Sequence, residues 1–264
     1  MQRTVTAHLE FSLGGQSDLL FQIAVAAGTP ILSESFTFSN NGRMYLPREI
    51  VDRHGTRILR FTGDPGNYDV FYSALVAGSR PVEPVGEIDL VSYLRPSRYA
   101  ESDALYVQAR SMFAGLTGLA LVNAVATWTH DTLEYVPGSS RGTDSARTTL
   151  NAGRGVCRDF AHVVVTMLRA CDVPARVAAV YAPGLAPMDF HAVAEAWVDG
   201  RWRVVDATRL APRQSLVRIS TGRDASDIAF LTNHIASVAL SSVEVNAVSD
   251  THIVDDHLSA AVLA

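Results

Sequence analysis

Apolar and polar residues alternate in short runs through the first third of the chain. Residues 4–11 place apolar side chains at every second position, and residues 33–38 alternate likewise at Phe36 and Phe38. Residues 57–62 follow a turn signal at His54-Gly55, and residues 69–76 follow the strong turn Asp64-Pro65-Gly66-Asn67. A two-residue period broken by Gly, Pro and Asn predicts short antiparallel strands packed as a β-sandwich. Residues 80–86 are proline-rich and read as a linker. From about residue 96 the period lengthens, and apolar positions three to four apart predict helices over residues 102–113 and 116–133. A polar, turn-rich segment at residues 137–148 leads to an apolar helix over residues 158–170. After Pro174 the pattern returns to strands at residues 175–181, 191–198 and 201–207, with a last strand near 237–245 and fraying expected beyond Asp250. The order predicts an α+β protein: an N-terminal antiparallel β-sandwich over residues 1–94, then a second domain over 95–264 that sets a helix against antiparallel strands.

Bulk properties narrow the class. The chain has 264 residues, 48% of them hydrophobic and 19% charged, which suits a soluble protein with a well-filled core. A formal charge of −5 without any basic run excludes a nucleic-acid partner. The first ten residues lack the apolar core of a signal peptide, and the most apolar helical stretch, residues 114–128, is too short to span a bilayer. No membrane association and residence in the cytosol are therefore expected.

The candidate chemistry centres on Cys157, in the run Gly153-Arg154-Gly155-Val156-Cys157-Arg158-Asp159-Phe160, where a glycine-broken loop opens into an apolar helix. Unpaired backbone N–H groups in the first turn of a helix favour an anion there, and a cysteine attacks as its thiolate. The second cysteine, Cys171, lies fourteen residues on. At ~1.5 Å per helical residue the two are about 21 Å apart, against the ~7 Å that a disulfide allows, so both thiols are expected free.

A base and a carboxylate follow. Asp199-Gly200 is a strong two-residue hairpin signal, and it sets Val198 opposite Arg201. Counting back, Val193 lies opposite Asp206, and His191 points to the same face as Val193. His191 and Asp206 then become diagonal cross-strand neighbours roughly 7–8 Å apart at Cα, within reach of each other's side chains. The order cysteine, histidine, aspartate suits a nucleophile, a general base and its orienter.

Three motifs carry a family resemblance. Gly155-Val156-Cys157-Arg158-Asp159-Phe160-Ala161-His162, Asp189-Phe190-His191-Ala192 and Trp202-Arg203-Val204-Val205-Asp206-Ala207-Thr208 resemble the transglutaminase-like (papain-like) superfamily, more narrowly its bacterial cysteine-peptidase-like members with an N-terminal β domain. Thr221 to Asp227 is similar to a segment that follows the aspartate in that group. The matching stretch covers about residues 130–230, and Val193 departs from the aromatic residue many relatives carry there. The resemblance implies a papain-like core with the catalytic residues Cys157, His191 and Asp206 and no metal or cofactor. Cys157 attacks an amide of a peptide or small molecule, His191 shuttles the proton, and Asp206 fixes the imidazole tautomer. The resulting thioester passes to water in a hydrolase, or to an amine in a transglutaminase, acyl transferase or ligase. The Cys157 N–H is the natural oxyanion donor. Asn151, Tyr135 and Trp128 are the candidates for a second donor, and none is singled out.

Blander roles fit the remaining residues. His162 lies about 140° around the helix from Cys157 and reads as structural. Asp159 reads as a partner of the helix dipole, and Arg154 and Arg158 as surface charges. Glu195 reads as one half of a hairpin salt bridge, Trp197 and Trp202 as core, and residues 222–224 as a turn packed against the site. A zinc site built from Cys157, His162, His191 and Asp206 lacks the close ligand pairs of structural zinc. A non-catalytic interaction module on the same fold is the remaining alternative, and a homo-oligomer is left open.

Overall fold

The computed structural model describes residues 1–81 and 85–263. Residues 82–84 of the expected proline-rich linker lie outside the described residues.

The alternating runs at the start of the chain become two antiparallel sheets. The first has five strands in the order Val238–Ser249, Gln2–Leu13, Gly66–Ala77, Ile31–Asn40, Arg43–Met44. The second has four, in the order Leu231–His234, Ser17–Phe21, Arg57–Gly63, Arg48–Val51. Alternation decides what they bury: Val5, Ala7, Leu9, Phe11 and Leu13 all point inward from one strand. One apolar cluster joins both sheets through Leu9, Phe11, Phe21, Phe38, Leu59 and Tyr68. Within it Phe38 meets Phe61 edge to face, with ring centroids 4.5 Å apart. Strand Val238–Ser249, from the far end of the sequence, pairs with the first strand from Arg3↔Ser249 to Leu13↔Val238.

A third antiparallel sheet follows the order Arg201–Val205, His191–Val198, Ala175–Tyr181, Val217–Gly222. Its helix-facing positions are small, with Ala175, Ala192, Ala194 and Ala196 in the cluster that holds Phe160, Val164 and Leu168 of helix Cys157–Ala170. Small side chains let the helix settle close to the sheet. Helices Tyr106–Met112 and Gly118–Thr132 cover it from outside, so every residue from Asp159 to Ala170 is buried. Tyr181, Val217 and Ile219 of this sheet reach into the apolar cluster of the first two, and the Tyr181 hydroxyl donates to the Ile23 carbonyl at 2.6 Å.

The helices expected at 102–113 and 116–133 form as Tyr106–Met112 and Gly118–Thr132. Strands 175–181 and 191–198 form with the expected bounds. Strand 201–207 ends early, at Val205, because the Asp206 carboxylate accepts the Thr208 N–H and turns the chain out of the ladder. Helix Ala146–Ala152 begins in the segment read as polar turn and runs past it, and strands Ser17–Phe21, Val217–Gly222 and Leu231–His234 were not anticipated.

Candidate active site

Cys157 owes its position to a short local scaffold. Helix Ala146–Ala152 ends at Gly153, whose φ of 65° suits a residue without a Cβ. The chain then runs parallel to Glu134–Tyr135, with Tyr135 opposite Gly155 and the Val136 N–H donating to the Gly155 carbonyl at 3.0 Å. Gly155 is required by close approach, since a Cβ there would stand 2.7 Å from the Asp159 Cβ. Val156 caps the helix with extended backbone, and its N–H donates to Asp159 Oδ2 at 2.9 Å. Asp159 therefore reaches back to the cap as well as sitting in the positive first turn. Cys157 begins the helix, half-buried.

The hairpin has the expected register, from Val198↔Arg201 to Ala194↔Val205. His191 opens its strand and Asp206 lies one residue past the end of the partner strand. Their side chains meet, with His191 Nε2 2.9 Å from Asp206 Oδ2, and both are almost wholly buried. Asp206 Oδ1 accepts the Thr208 N–H at 3.0 Å and the Thr208 hydroxyl at 2.7 Å, which fixes the carboxylate plane. His130 adds a further tie, its Nδ1 lying 2.9 Å from the Ala207 carbonyl. Thr208 and His130 were not singled out in the sequence. The Asp-x-Thr spacing of a side-chain turn was the signal for Thr208, whereas nothing local pointed to His130.

The electrostatics follow from burial and pairing. Burial alone would disfavour an imidazolium at His191, yet the Asp206 charge and hydrogen bond, aided by the Cys157 thiol, raise its proton affinity well above the ordinary value. Burial works against the Asp206 carboxylate too, and His191 with Thr208 still holds it below its usual range. With Nε2 committed to Asp206, His191 Nδ1 is left buried without a hydrogen-bond partner, and the Cys157 thiol is its neighbour. An Nε2–H tautomer leaves Nδ1 free to take a thiol proton.

Tyr135 also lies against Cys157. Its ring packs on Phe160 with centroids 6.0 Å apart, and its phenol oxygen lies against the Cys157 backbone N–H. Burial, with the charges of Cys157, Asp189 and Asp206 adding to it, pushes the phenol up to about 12 and keeps it a donor at neutral pH. Among the three residues weighed as second donor, Asn151 is exposed on its helix and Trp128 packs edge to face on Phe113 at 6.0 Å. Only Tyr135 reaches Cys157.

A cleft of about 520 Å³ opens beside Cys157 and His191. Arg158 and Asp189 stand in its wall, and the Arg158 guanidinium is tied to Ser140 and to the Arg141 carbonyl. Arg158 is therefore a loop anchor rather than a free surface charge, whereas Arg154 is exposed.

His162 turns away from Cys157. Its Nε2 accepts the Ala225 N–H at 3.1 Å, its ring stacks on Tyr99 at 5.4 Å, and burial holds it well below its ordinary value against the pull of Asp224. Cys157, His162, His191 and Asp206 therefore do not converge on one point as a zinc site requires. Glu195 is not paired within its hairpin. It bonds instead to Arg176 and Arg218, each at 2.7 Å, on the two strands at the other side, because those long side chains share its buried face. Trp197 and Trp202 face each other across the hairpin at 5.4 Å, and Trp202 carries the Arg176 guanidinium over its ring at 4.1 Å. Asp224 caps helix Ala225–Ile228 and ties it to the Tyr99 N–H at 3.0 Å, so the 222–224 turn packs beside the cleft. Both cysteines are free, at opposite ends of one helix. No helix among the described residues is long and apolar enough to cross a membrane.

Residues 109–207 match the transglutaminase-like superfamily model. The chain is similar over nearly its whole length to a crystal structure from Cytophaga hutchinsonii named as a candidate cysteine protease, with 29% identity, a TM-score of 0.86, and 97% of this chain and 93% of that one covered. It is also 30% identical over 119 residues to the uncharacterized protein ML0607 of Mycobacterium leprae. That match takes in 41% of this chain and 42% of the relative, so the chain spans about two fifths of the curated relative's length. The matched segment holds Cys157, His191 and Asp206 together with the helix and hairpin that present them, and over that segment the chain carries a transglutaminase-like domain.

Proposed function

We propose that this protein is a cysteine-nucleophile hydrolase of an amide bond in a peptide or small amide. The observation that carries the reading is the buried His191, bonded through Nε2 to Asp206 and leaving Nδ1 unpaired beside Cys157 at a cleft. In this mechanism His191 Nδ1 takes the Cys157 proton and the thiolate attacks the amide carbon, forming a C–S bond. The oxyanion is met by the Cys157 N–H and the Tyr135 hydroxyl. Collapse breaks the C–N bond, and the imidazolium gives its proton to the departing amine. Water, deprotonated by His191, then attacks the thioester, releasing a carboxylic acid and the free thiol. Asp206 holds the ring in the tautomer that makes both transfers work. The cytosol, where thiols stay reduced, is the proposed setting.

Acyl transfer is the second reading, because the superfamily also takes amines as acceptors and the cleft leaves Cys157 open to either nucleophile. Two measurements test these. Iodoacetamide labelling near neutral pH is expected to modify Cys157 faster than Cys171, and His191→Ala is expected to slow it. Equal rates for the two thiols, unaffected by His191→Ala, would defeat the nucleophile assignment. Product analysis by mass spectrometry with a competing amine separates water from amine as acceptor, and a dominant amine adduct would overturn hydrolysis.

A further inference from the structure

The wall of the cleft beside Cys157 carries the charged side chains of Arg158 and Asp189 in a lining that is otherwise mainly apolar. Phe190 and Phe230 stack with centroids 5.1 Å apart, and Ile219, Ile228 and Leu231 complete that surface. The walls come from two parts of the fold. Phe190 and Ile219 belong to the segment before His191 and to strand Val217–Gly222 of the third sheet. Phe230 and Leu231 are held by the N-terminal region: the Gln22 N–H donates to the Phe230 carbonyl at 2.9 Å, and Leu231 pairs with Phe21. A cavity of about 520 Å³ is of the size that admits a small ligand and exceeds what one water cluster fills.

We infer that this cleft seats a large apolar side chain on the acyl part of the substrate, with the N-terminal sheets supplying its far wall. The substrate class is then an amide whose acyl group carries a leucine-like or phenylalanine-like side chain next to the scissile carbonyl. Charged side chains are excluded, since an ionised group lodged among Phe190, Ile228 and Phe230 loses water without gaining a partner. The acyl part becomes bonded to sulfur in the first half-reaction and leaves it in the second, so walls adjoining Cys157 act on it in acylation and again in deacylation. This rests on the cysteine-nucleophile reading above.

Chloromethyl ketones of N-acetyl amino acids test it. The Cys157 thiolate displaces chloride from the methylene carbon and leaves a thioether, and the neighbouring side chain probes the acyl subsite. Inactivation by the leucine and phenylalanine ketones is expected to be at least about tenfold faster than by the alanine and aspartate ketones, in line with the discrimination an apolar pocket achieves. Ala229→Phe, which fills the cleft from a half-buried wall position, is expected to bring the leucine and phenylalanine rates down to the alanine rate. Iodoacetamide, too small to need the cleft, is run in parallel on the unmodified chain. Fast labelling of Cys157 by iodoacetamide with no ranking among the ketones would overturn the subsite and leave the nucleophile intact. Labelling of Cys157 no faster than that of Cys171 would remove both readings together. Should Ala229→Phe fail to fold, the ketone ranking on the unmodified chain still decides.

Discussion

Tyr135 sits opposite Gly155 across a two-residue parallel ladder, and this pairing sets its phenol oxygen against the backbone N–H of Cys157. A hydroxyl there can donate to an oxyanion that the same N–H also meets. Tyr135→Phe keeps the ring that packs on Phe160 and removes only the hydroxyl. The expected result is a loss of about 10²–10³ in kcat with KM little changed, as for other single oxyanion donors. A rise in KM with kcat unchanged would mean that the hydroxyl binds the ground-state substrate instead.

Asp206→Asn should leave the fold in place and the imidazole in the wrong tautomer. An amide can donate to Nε2 where the carboxylate accepts from it, which directs the ring proton to Nδ1. A drop in kcat on the order of 10⁴ is expected by analogy with other triads. Restored activity on changing Thr208 alone would argue against this route.

The same pair predicts a pH dependence of stability. The proton affinity of His191 is raised in the folded state, so its contribution is full below the ordinary value of 6.5 and is lost as the pH rises through the folded value. The proton affinity of Asp206 is lowered, so its contribution is present above the ordinary value of 3.8 and is lost as the pH falls through the folded value. The Tm gap between the unmodified chain and Asp206→Asn is therefore expected to be widest between these two ordinary values and to narrow in alkali. A gap that grows steadily with pH would contradict the pairing.

Glu195 makes a second, purely structural prediction. Burial opposes its charge, and Arg176 and Arg218 still hold its carboxyl down at about 2, below the ordinary 4.5. Its stabilising share is present above that ordinary value and disappears as the pH falls through about 2. Glu195→Gln removes the carboxylate that two buried guanidiniums share. A Tm loss on the order of 10 °C at neutral pH is expected, because breaking a buried pair costs about 3–5 kcal/mol. Thermal melts across pH would check both statements.

Gly155→Ala tests the scaffold under the nucleophile. The added methyl meets the Asp159 side chain at 2.7 Å, so Asp159 must move and release the Val156 N–H. A destabilisation of about 1–3 kcal/mol is expected. Iodoacetamide labelling of Cys157 should slow as the helix start shifts.

Much of this site was legible because its parts are local. Asp199-Gly200 fixes a hairpin register within a few residues, and that register carried His191 to Asp206. The glycine-broken run before Cys157 likewise announced a helix start. Asp206 nonetheless leaves the ladder one residue early, since a carboxylate turn to Thr208 competes with strand pairing, and hydrophobic alternation does not record such competition. Tyr135 was legible only as one name among three, because its approach to Cys157 depends on pairing between segments about twenty residues apart in sequence. Strands Ser17–Phe21 and Leu231–His234 are short, and they acquire meaning only through each other. Glu195 has the alternation of a hairpin partner, yet its charge is settled by Arg176 and Arg218 on strands that no turn signal connects to it.

The pairing of Gln2–Leu13 with Val238–Ser249 sets an order of events for the growing chain. A ribosome delivers the first strand long before its neighbour on that side, so Val5, Leu9 and Phe11 wait beside an open sheet edge while the intervening residues are made. Contacts this distant in sequence also slow folding in free solution. Phe230 and Leu231 emerge shortly before the closing strand, so the cleft is completed only well after Cys157 has been delivered. A thiol such as Cys157 is thereby translated early and furnished with its full surroundings late.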